Sequence, residues 1–264
     1  NNNRQGEPVP DFSQIALVDV LPFIAVGFLA QLVDGALGMA FGVISSTAMV
    51  ALLGVPPAHA SAGVHFAEVF TTGASGLSHA AARNIDWRLF RKLAIPGVIG
   101  GVAGAWAIGT VDASVARPLV MAYLAIIGVS LLWRAWRFPL HPSRDPRLVG
   151  PLGLLGGFLD AAGGGGWGPV TMSNLLIQGG NPRTTIGTVN AAEFLLTASV
   201  SATFIATMGL AAFTAATIGL VLGGLAAAPF GALIARRAPP RVLLGLVGAV
   251  LTITSAFALW SWLR

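Results

Sequence analysis

The chain has 264 residues, 55% hydrophobic and only 9% charged, with a net charge of +5 and no Cys. A soluble domain carries about 25% charged residues, so too few polar side chains remain to cover a water-facing surface, and the bilayer is the expected solvent. The missing Cys rules out disulfides, thiolate metal sites and Cys nucleophiles, and the basic residues sit in short loops between apolar runs, which reads as membrane topology and not as a nucleic-acid-binding face.

Residues 1–19 read as a polar tail without the basic-then-apolar order of a cleaved signal peptide. Ten apolar segments follow, at about 20–36, 39–54, 57–82, 93–110, 114–136, 150–163, 167–179, 183–208, 211–236 and 240–262, judged against the ~20 residues a helix needs to cross ~30 Å of hydrocarbon. The first two are short, as are the sixth and seventh. Each short pair is joined by a glycine-rich stretch, Gly35-Ala36-Leu37-Gly38 in one and Gly163-Gly164-Gly165-Gly166 in the other. Such pairs either cross thinly or meet near the midplane as re-entrant helices.

The two halves repeat. The run from Asp34 to Gly42 aligns with that from Asp160 to Gly168 at an offset of 126, and His65 and Glu68 align with Asn190 and Glu193 at 125. Pro57 falls on Pro182, and Gly100-Gly101 on Gly223-Gly224. The expected organisation is a first transmembrane repeat over 20–136, a cytoplasmic linker over 137–149 and a second repeat over 150–264. Five helices per repeat force the second copy to enter from the opposite side. The positive-inside rule supports this: with both termini outside, 12 of the 15 Lys and Arg fall on the cytoplasmic side, leaving only Arg4, Arg117 and Arg264 outside. No Lys or Arg lies deep in a predicted span. Trp87, Trp133 and Trp136 then mark the inner interface, and Trp260 and Trp262 the outer one. The fold class is an all-α polytopic membrane protein of about ten helices, arranged as two inverted five-helix repeats with glycine-broken helices near the midplane.

Matching breaks in inverted repeats point to a transport site at the repeat interface. The helices that start after the glycines have N–H groups without intrahelical partners, carrying roughly half a positive charge. Two such ends facing a shared centre make an anion site without a cationic side chain. Gly35, Gly38, Gly42, Gly163, Gly164, Gly165 and Gly166 are the candidate backbone contacts. The competing reading, tight helix packing, is preferred for the glycines of the fourth and ninth helices. Glu68 and Glu193 each lie eleven residues past a helix-opening proline, ~16 Å along the helix and close to the midplane. An ionisable group there is expensive and a functional candidate by default. They are read as proton-coupling or gating groups, with capping of broken-helix amides as the alternative. His65 and Asn190 lie one turn before them and serve either as ligand contacts or as helix–helix hydrogen bonds. Asp34 and Asp160 precede the breaks and are expected to order the turns through backbone N–H bonds. Asn174 and Trp167 complete the candidate substrate-binding set. No HExxH metal spacing, GxSxG elbow or phosphate-binding loop is present, so neither a metal nor a cofactor is expected.

The run Gly156-Gly157-Phe158-Leu159-Asp160, the glycines to Gly166, and then Gly168-Pro169 resemble the TauE/SafE family of sulfite exporters. A weaker copy at Gly27-Phe28-Leu29 and Gly35 to Gly42 agrees, as does Asn181-Pro182-Arg183. The resemblance spans about residues 20–262. It implies a bacterial inner-membrane carrier of small sulfur-containing anions, sulfite or organosulfonates, working without ATP hydrolysis. The first half departs from the pattern with a thinner glycine run and Val43 in place of proline, which implies unequal half-sites, the second the tighter. The expected function is therefore secondary transport of such an anion, with proton coupling open. Alternatives are an anion channel, an intramembrane enzyme or an accessory subunit. The partners expected are the anion and the lipid bilayer; a homodimer is left open.

Overall fold

The computed structural model describes residues 17–37, 39–137, 146–237 and 240–263. Among them the chain forms ten helices and no strand. Helix α1 (Leu17–Leu37) leads to α2, an α-helical stretch Phe41–Thr47 that continues as a π-helical turn Ala48–Leu52. Then come α3 (Pro57–Ala81), α4 (Trp87–Thr110) and α5 (Ala113–Arg137). The second half repeats the plan with α6 (Val149–Gly163), then α7, which opens on a π-helical segment Trp167–Met172 and ends as Ser173–Ile177. It closes with α8 (Pro182–Met208), α9 (Ala215–Arg237) and α10 (Pro240–Trp262).

Most ends lie where apolar periodicity and prolines put them; two differ. α4 begins at Trp87 and not near residue 93, because the Asp86 side chain accepts the N–H groups of Arg88 (2.9 Å) and Leu89 (3.1 Å) and so holds a polar first turn in helical form. α9 begins at Ala215 and not near 211, because Gly209, at φ +70°, breaks the chain and Leu210–Ala212 forms a separate 3₁₀ turn.

Four helices, Trp87–Thr110, Ala113–Arg137, Thr184–Met208 and Leu244–Trp262, are long and apolar enough to cross a membrane. Their outward faces are large and apolar: Ile95, Ile99 and Trp106 on α4, Leu119 and Ile126 on α5, and Leu246, Ile253 and Phe257 on α10 are each at least 59% exposed. A belt of this kind is stable only in lipid. The protein is a polytopic membrane protein.

Packing follows the repeat. α1 lies on α9 as α6 lies on α4, while α3 pairs with α8 and α5 with α10. Exchanging each helix with its counterpart five places on leaves these pairings unchanged. Glycine sets the closest crossings. A methyl group on Gly100 would strike the Leu154 carbonyl of α6, and one on Gly223 the Ile24 carbonyl of α1. These are the fourth- and ninth-helix glycines, and they are packing devices.

Candidate functional site

The centre of the molecule is built from the two breaks. At the first, Asp34 in the last turn of α1 turns Oδ1 onto the amides of Ala40 (2.7 Å) and Phe41 (3.2 Å). At the second, Asp160 of α6 turns Oδ1 onto the amides of Gly166 (2.6 Å) and Trp167 (2.9 Å). Donor and acceptor positions match through one offset of 126 residues. In both cases a carboxylate spans the break and caps the start of the next helix, where orphan N–H groups favour negative charge.

This changes the sequence picture in one respect. The leading amides of α2 and α7 are not bare; a side-chain carboxylate of the same half already occupies them. The aspartates reach six and seven residues ahead, well beyond the two-residue reach of an Asx turn.

The breaks touch each other. A Cβ on Gly42 would lie 3.0 Å from Gly165 Cα and 3.2 Å from the Gly164 carbonyl, and one on Gly168 would lie 2.6 Å from Met39 Cβ. These contacts are reciprocal, since Gly42 corresponds to Gly168 and Met39 to Gly165, as a two-fold relation requires. Gly165, at φ +157°, would drive a methyl into the Val43 amide. The junction is fastened by the Ser46 hydroxyl, which donates to the Gly164 carbonyl, and by the Tyr123 hydroxyl, which donates to the Gly165 carbonyl at 3.0 Å. Ser61 of α3 donates to the Ala161 carbonyl at 2.5 Å.

Between the breaks lies a cavity of ≈ 10 Å³, room for about one water molecule. Asp34, Glu68, Asp160 and Glu193 all line it, with no Lys or Arg among its described lining residues. Every lining residue except Phe41 has its repeat counterpart in the same wall. Glu68 is buried and takes the Gly42 amide; Glu193 is half-buried. His65, Glu68 and Asp160 bring their polar side-chain atoms within 4.8 Å of one another, so three titratable side chains share one buried point.

A second cavity of ≈ 230 Å³ opens beside the first and shares Asp34 with it. Its wall is mostly polar: Gln31, Thr71, Thr72, Ser75, His79 and Asn190 line it, with Gly35, Leu37 and Ile186 between them. The positions equivalent to Thr71, Ser75 and His79 in the other half are Leu196, Val200 and Phe204, all fully buried. One approach to the centre is thus a polar vestibule; at its mirror image Leu196, Val200 and Phe204 form an apolar plug beside the buried polar Ser61, His65 and Thr197.

The remaining candidates divide. Asn190 faces the vestibule and donates to its own helix at Ile186 O, 3.0 Å away. Trp167 gives its amide to Asp160, but its ring is buried against Gly97 of α4 and its indole N–H donates to the Val189 carbonyl at 3.2 Å. It fills space and does not wall the central cavity. Asn174 donates to the Val170 carbonyl (2.6 Å) along α7 and is not among the described residues lining the central cavity. Gly163 packs on the Tyr123 ring, and Gly38 lies outside the described residues.

Three contributors escape sequence reasoning. Tyr123 is the chain's single tyrosine, which was its one available signal. Arg117 and Arg134 both belong to α5; Arg117 donates to the Val50 carbonyl (2.9 Å) and Arg134 to the Pro169 carbonyl (2.8 Å). Each acceptor lies in a π-helical segment, where altered pairing leaves carbonyls available. Arg134, which the sequence places near the end of the fifth apolar segment, reaches a residue of the central cavity wall.

An apolar helical bundle with paired broken helices meeting at a shared polar centre defines a membrane transporter. The chain belongs to the sulfite exporter TauE/SafE family: the family profile "Sulfite exporter TauE/SafE" matches residues 23–258. It is 39% identical over 246 residues to the "Probable membrane transporter protein YtnM" of Bacillus subtilis (strain 168), an alignment covering 90% of this chain and 81% of that protein. No solved structure matches the chain.

Proposed function

We propose that the protein is a secondary carrier of a small sulfur-containing anion, sulfite or an organosulfonate, moved together with protons across a bacterial inner membrane. The observation that carries this reading is the central cavity, closed between two carboxylate-capped helix starts. The helix ends favour an anion, yet carboxylates already hold them. An oxyanion is admitted only when the breaks part and positive charge compensates the carboxylates already there. Protons supply that charge in a site without Lys or Arg among its described lining residues. The family's printed description, a sulfite exporter, supports the substrate class.

In this reading the two halves are inverted and both termini lie outside, so the vestibule with His79 and the Arg83–Lys92 loop face the cytoplasm. α2 and α7 span 12 and 11 residues, about 16–18 Å of rise, roughly half the hydrocarbon thickness. Closure of the centre to one water's volume favours a carrier over a channel, because a conducting pore needs a continuous path. Counterflow in proteoliposomes tests this. External sulfite, or an organosulfonate, is expected to exchange with internal substrate in a saturable way, with Glu68→Gln and Glu193→Gln each lowering uptake driven by a pH gradient. Non-saturating flux without countertransport identifies a channel instead.

A further inference from the structure

The coupled proton can be located by hydrogen bookkeeping around His65. The ring is fully buried on α3. Its Nδ1 lies 2.8 Å from the Ser61 carbonyl oxygen and 3.2 Å from Ser61 Oγ. A carbonyl oxygen only accepts, and the Ser61 hydroxyl spends its own proton on the Ala161 carbonyl. Both neighbours of Nδ1 are therefore acceptors, so Nδ1 carries a hydrogen. A neutral imidazole in that tautomer presents a bare lone pair at Nε2.

Nε2 lies 3.1 Å from Asp160 Oδ2. An ionised carboxylate also only accepts. Two lone pairs facing each other at hydrogen-bond distance in a buried site leave two polar groups unsatisfied. One more proton satisfies both, whether it rests on Nε2 or on Oδ2. Asp160 Oδ1 is committed to the Gly166 and Trp167 amides and remains an acceptor.

We propose that the proton moved with the substrate is held between His65 Nε2 and Asp160 Oδ2, in one half-site only. This rests on the transporter reading above and deepens it by naming the proton's seat. The other half-site lacks the device, because Asn190 stands where His65 does and turns its amide to Ile186. The groups facing the pair are Glu68 on α3, Glu193 on α8, Asp34 on α1 and Tyr123 on α5. They are three carboxyl groups and one hydroxyl, with no Lys or Arg among the described residues lining the central cavity.

The pair also explains how a proton moves a helix. Asp160 joins α3 through Oδ2 and the start of α7 through Oδ1. Losing the proton sets lone pair against lone pair, pushes Asp160 from α3 and loosens its hold on the second break. An anion entering a centre of four carboxylates requires the proton in place, so the two travel in the same direction.

Two substitutions and one spectrum test this. His65→Asn copies the other half-site. Asp160→Asn keeps an acceptor for the two amides while its own N–H donates to Nε2, so no extra proton is needed. In liposomes holding a pH gradient, the internal-to-external substrate ratio should fall to about one in each variant, with residual exchange no longer responding to the gradient. A ratio equal to the wild type's in His65→Asn overturns the proposal. Ring ¹⁵N resonances of wild-type protein in lipid, assigned by their loss in His65→Asn, decide the matter independently of transport. Nδ1 protonated, with a shared proton at Nε2, supports it; Nδ1 bare, or a stoichiometric metal found by elemental analysis, overturns it. If wild-type protein exchanges no sulfur oxyanion at all, the carrier reading fails while the spectrum still answers for the proton.

Discussion

Replacing Gly165 with alanine puts a methyl group where the two breaks meet. The new Cβ would collide with the Val43 amide and come within 2.6 Å of Gly42 C, both backbone atoms that cannot swing aside. The residue also sits at φ +157°, which L side chains rarely adopt. Backbone strain of this sort costs about 1–3 kcal/mol, and overpacking a tight junction about 1–3 kcal/mol more. Gly54→Ala is the matched control, with φ +70° and open space around the new methyl, so it bears only the backbone cost of about 1–2 kcal/mol. At roughly 2–4 °C per kcal/mol for a chain of this size, Gly165→Ala should lower Tm by on the order of 10 °C in detergent and abolish counterflow. Gly54→Ala should lose only a few degrees and keep exchanging substrate. Equal Tm losses in the two variants, with transport intact in both, would refute the claim that the junction of the breaks is the working part.

Other expectations follow from single contacts. Tyr123→Phe removes the donor to the Gly165 carbonyl and should cost about 0.5–1.5 kcal/mol, read as a small Tm loss with a larger loss of exchange. Trp167→Ala empties a fully buried site and should cost about 3–5 kcal/mol, seen as poor yield or a strongly lowered Tm even with substrate present. Because the chain has no Cys, single-cysteine labelling is clean: Ser75→Cys in the vestibule should react with an impermeant maleimide, and Val200→Cys in the apolar plug should not. Asp112, exposed at the start of α5, is held below the ordinary carboxylate range by hydrogen bonds from the Ser114 hydroxyl and amide. A lowered folded value means its stabilisation is present above the ordinary carboxylate range and is lost as pH falls through the lowered value. The Tm gap between wild type and Asp112→Ala should therefore be present at neutral pH and close in acid.

Much of the fold was legible because apolar periodicity, opening prolines and glycine breaks are local signals. Pro57 opens α3, and the glycine run after Asp160 ends α6 as expected. Other features depend on contacts distant in sequence. The capping reach of Asp34 and Asp160 depends on how each break folds back, which no spacing rule for turns anticipates. The two α5 arginines find carbonyls freed by π-helical turns, and such turns leave no mark in composition. The ring of Trp167 points to α4 because Gly97 leaves it space, a fact visible only once the helices are packed. The alignment of His65 with Asn190 was legible in the sequence, but not that His65 meets Asp160 of the other half while Asn190 bonds its own helix at Ile186.

The central claim is that two copies of one five-helix unit enter the membrane from opposite sides. Ala82 and Thr207 occupy equivalent places at the ends of α3 and α8, and both are exposed. With Ala82→Cys and Thr207→Cys as single-cysteine variants, an impermeant maleimide applied to intact cells should label position 207 alone, and position 82 only after the membrane is opened. Labelling of both positions from the same side would contradict the inverted repeat, and with it the carrier built on it.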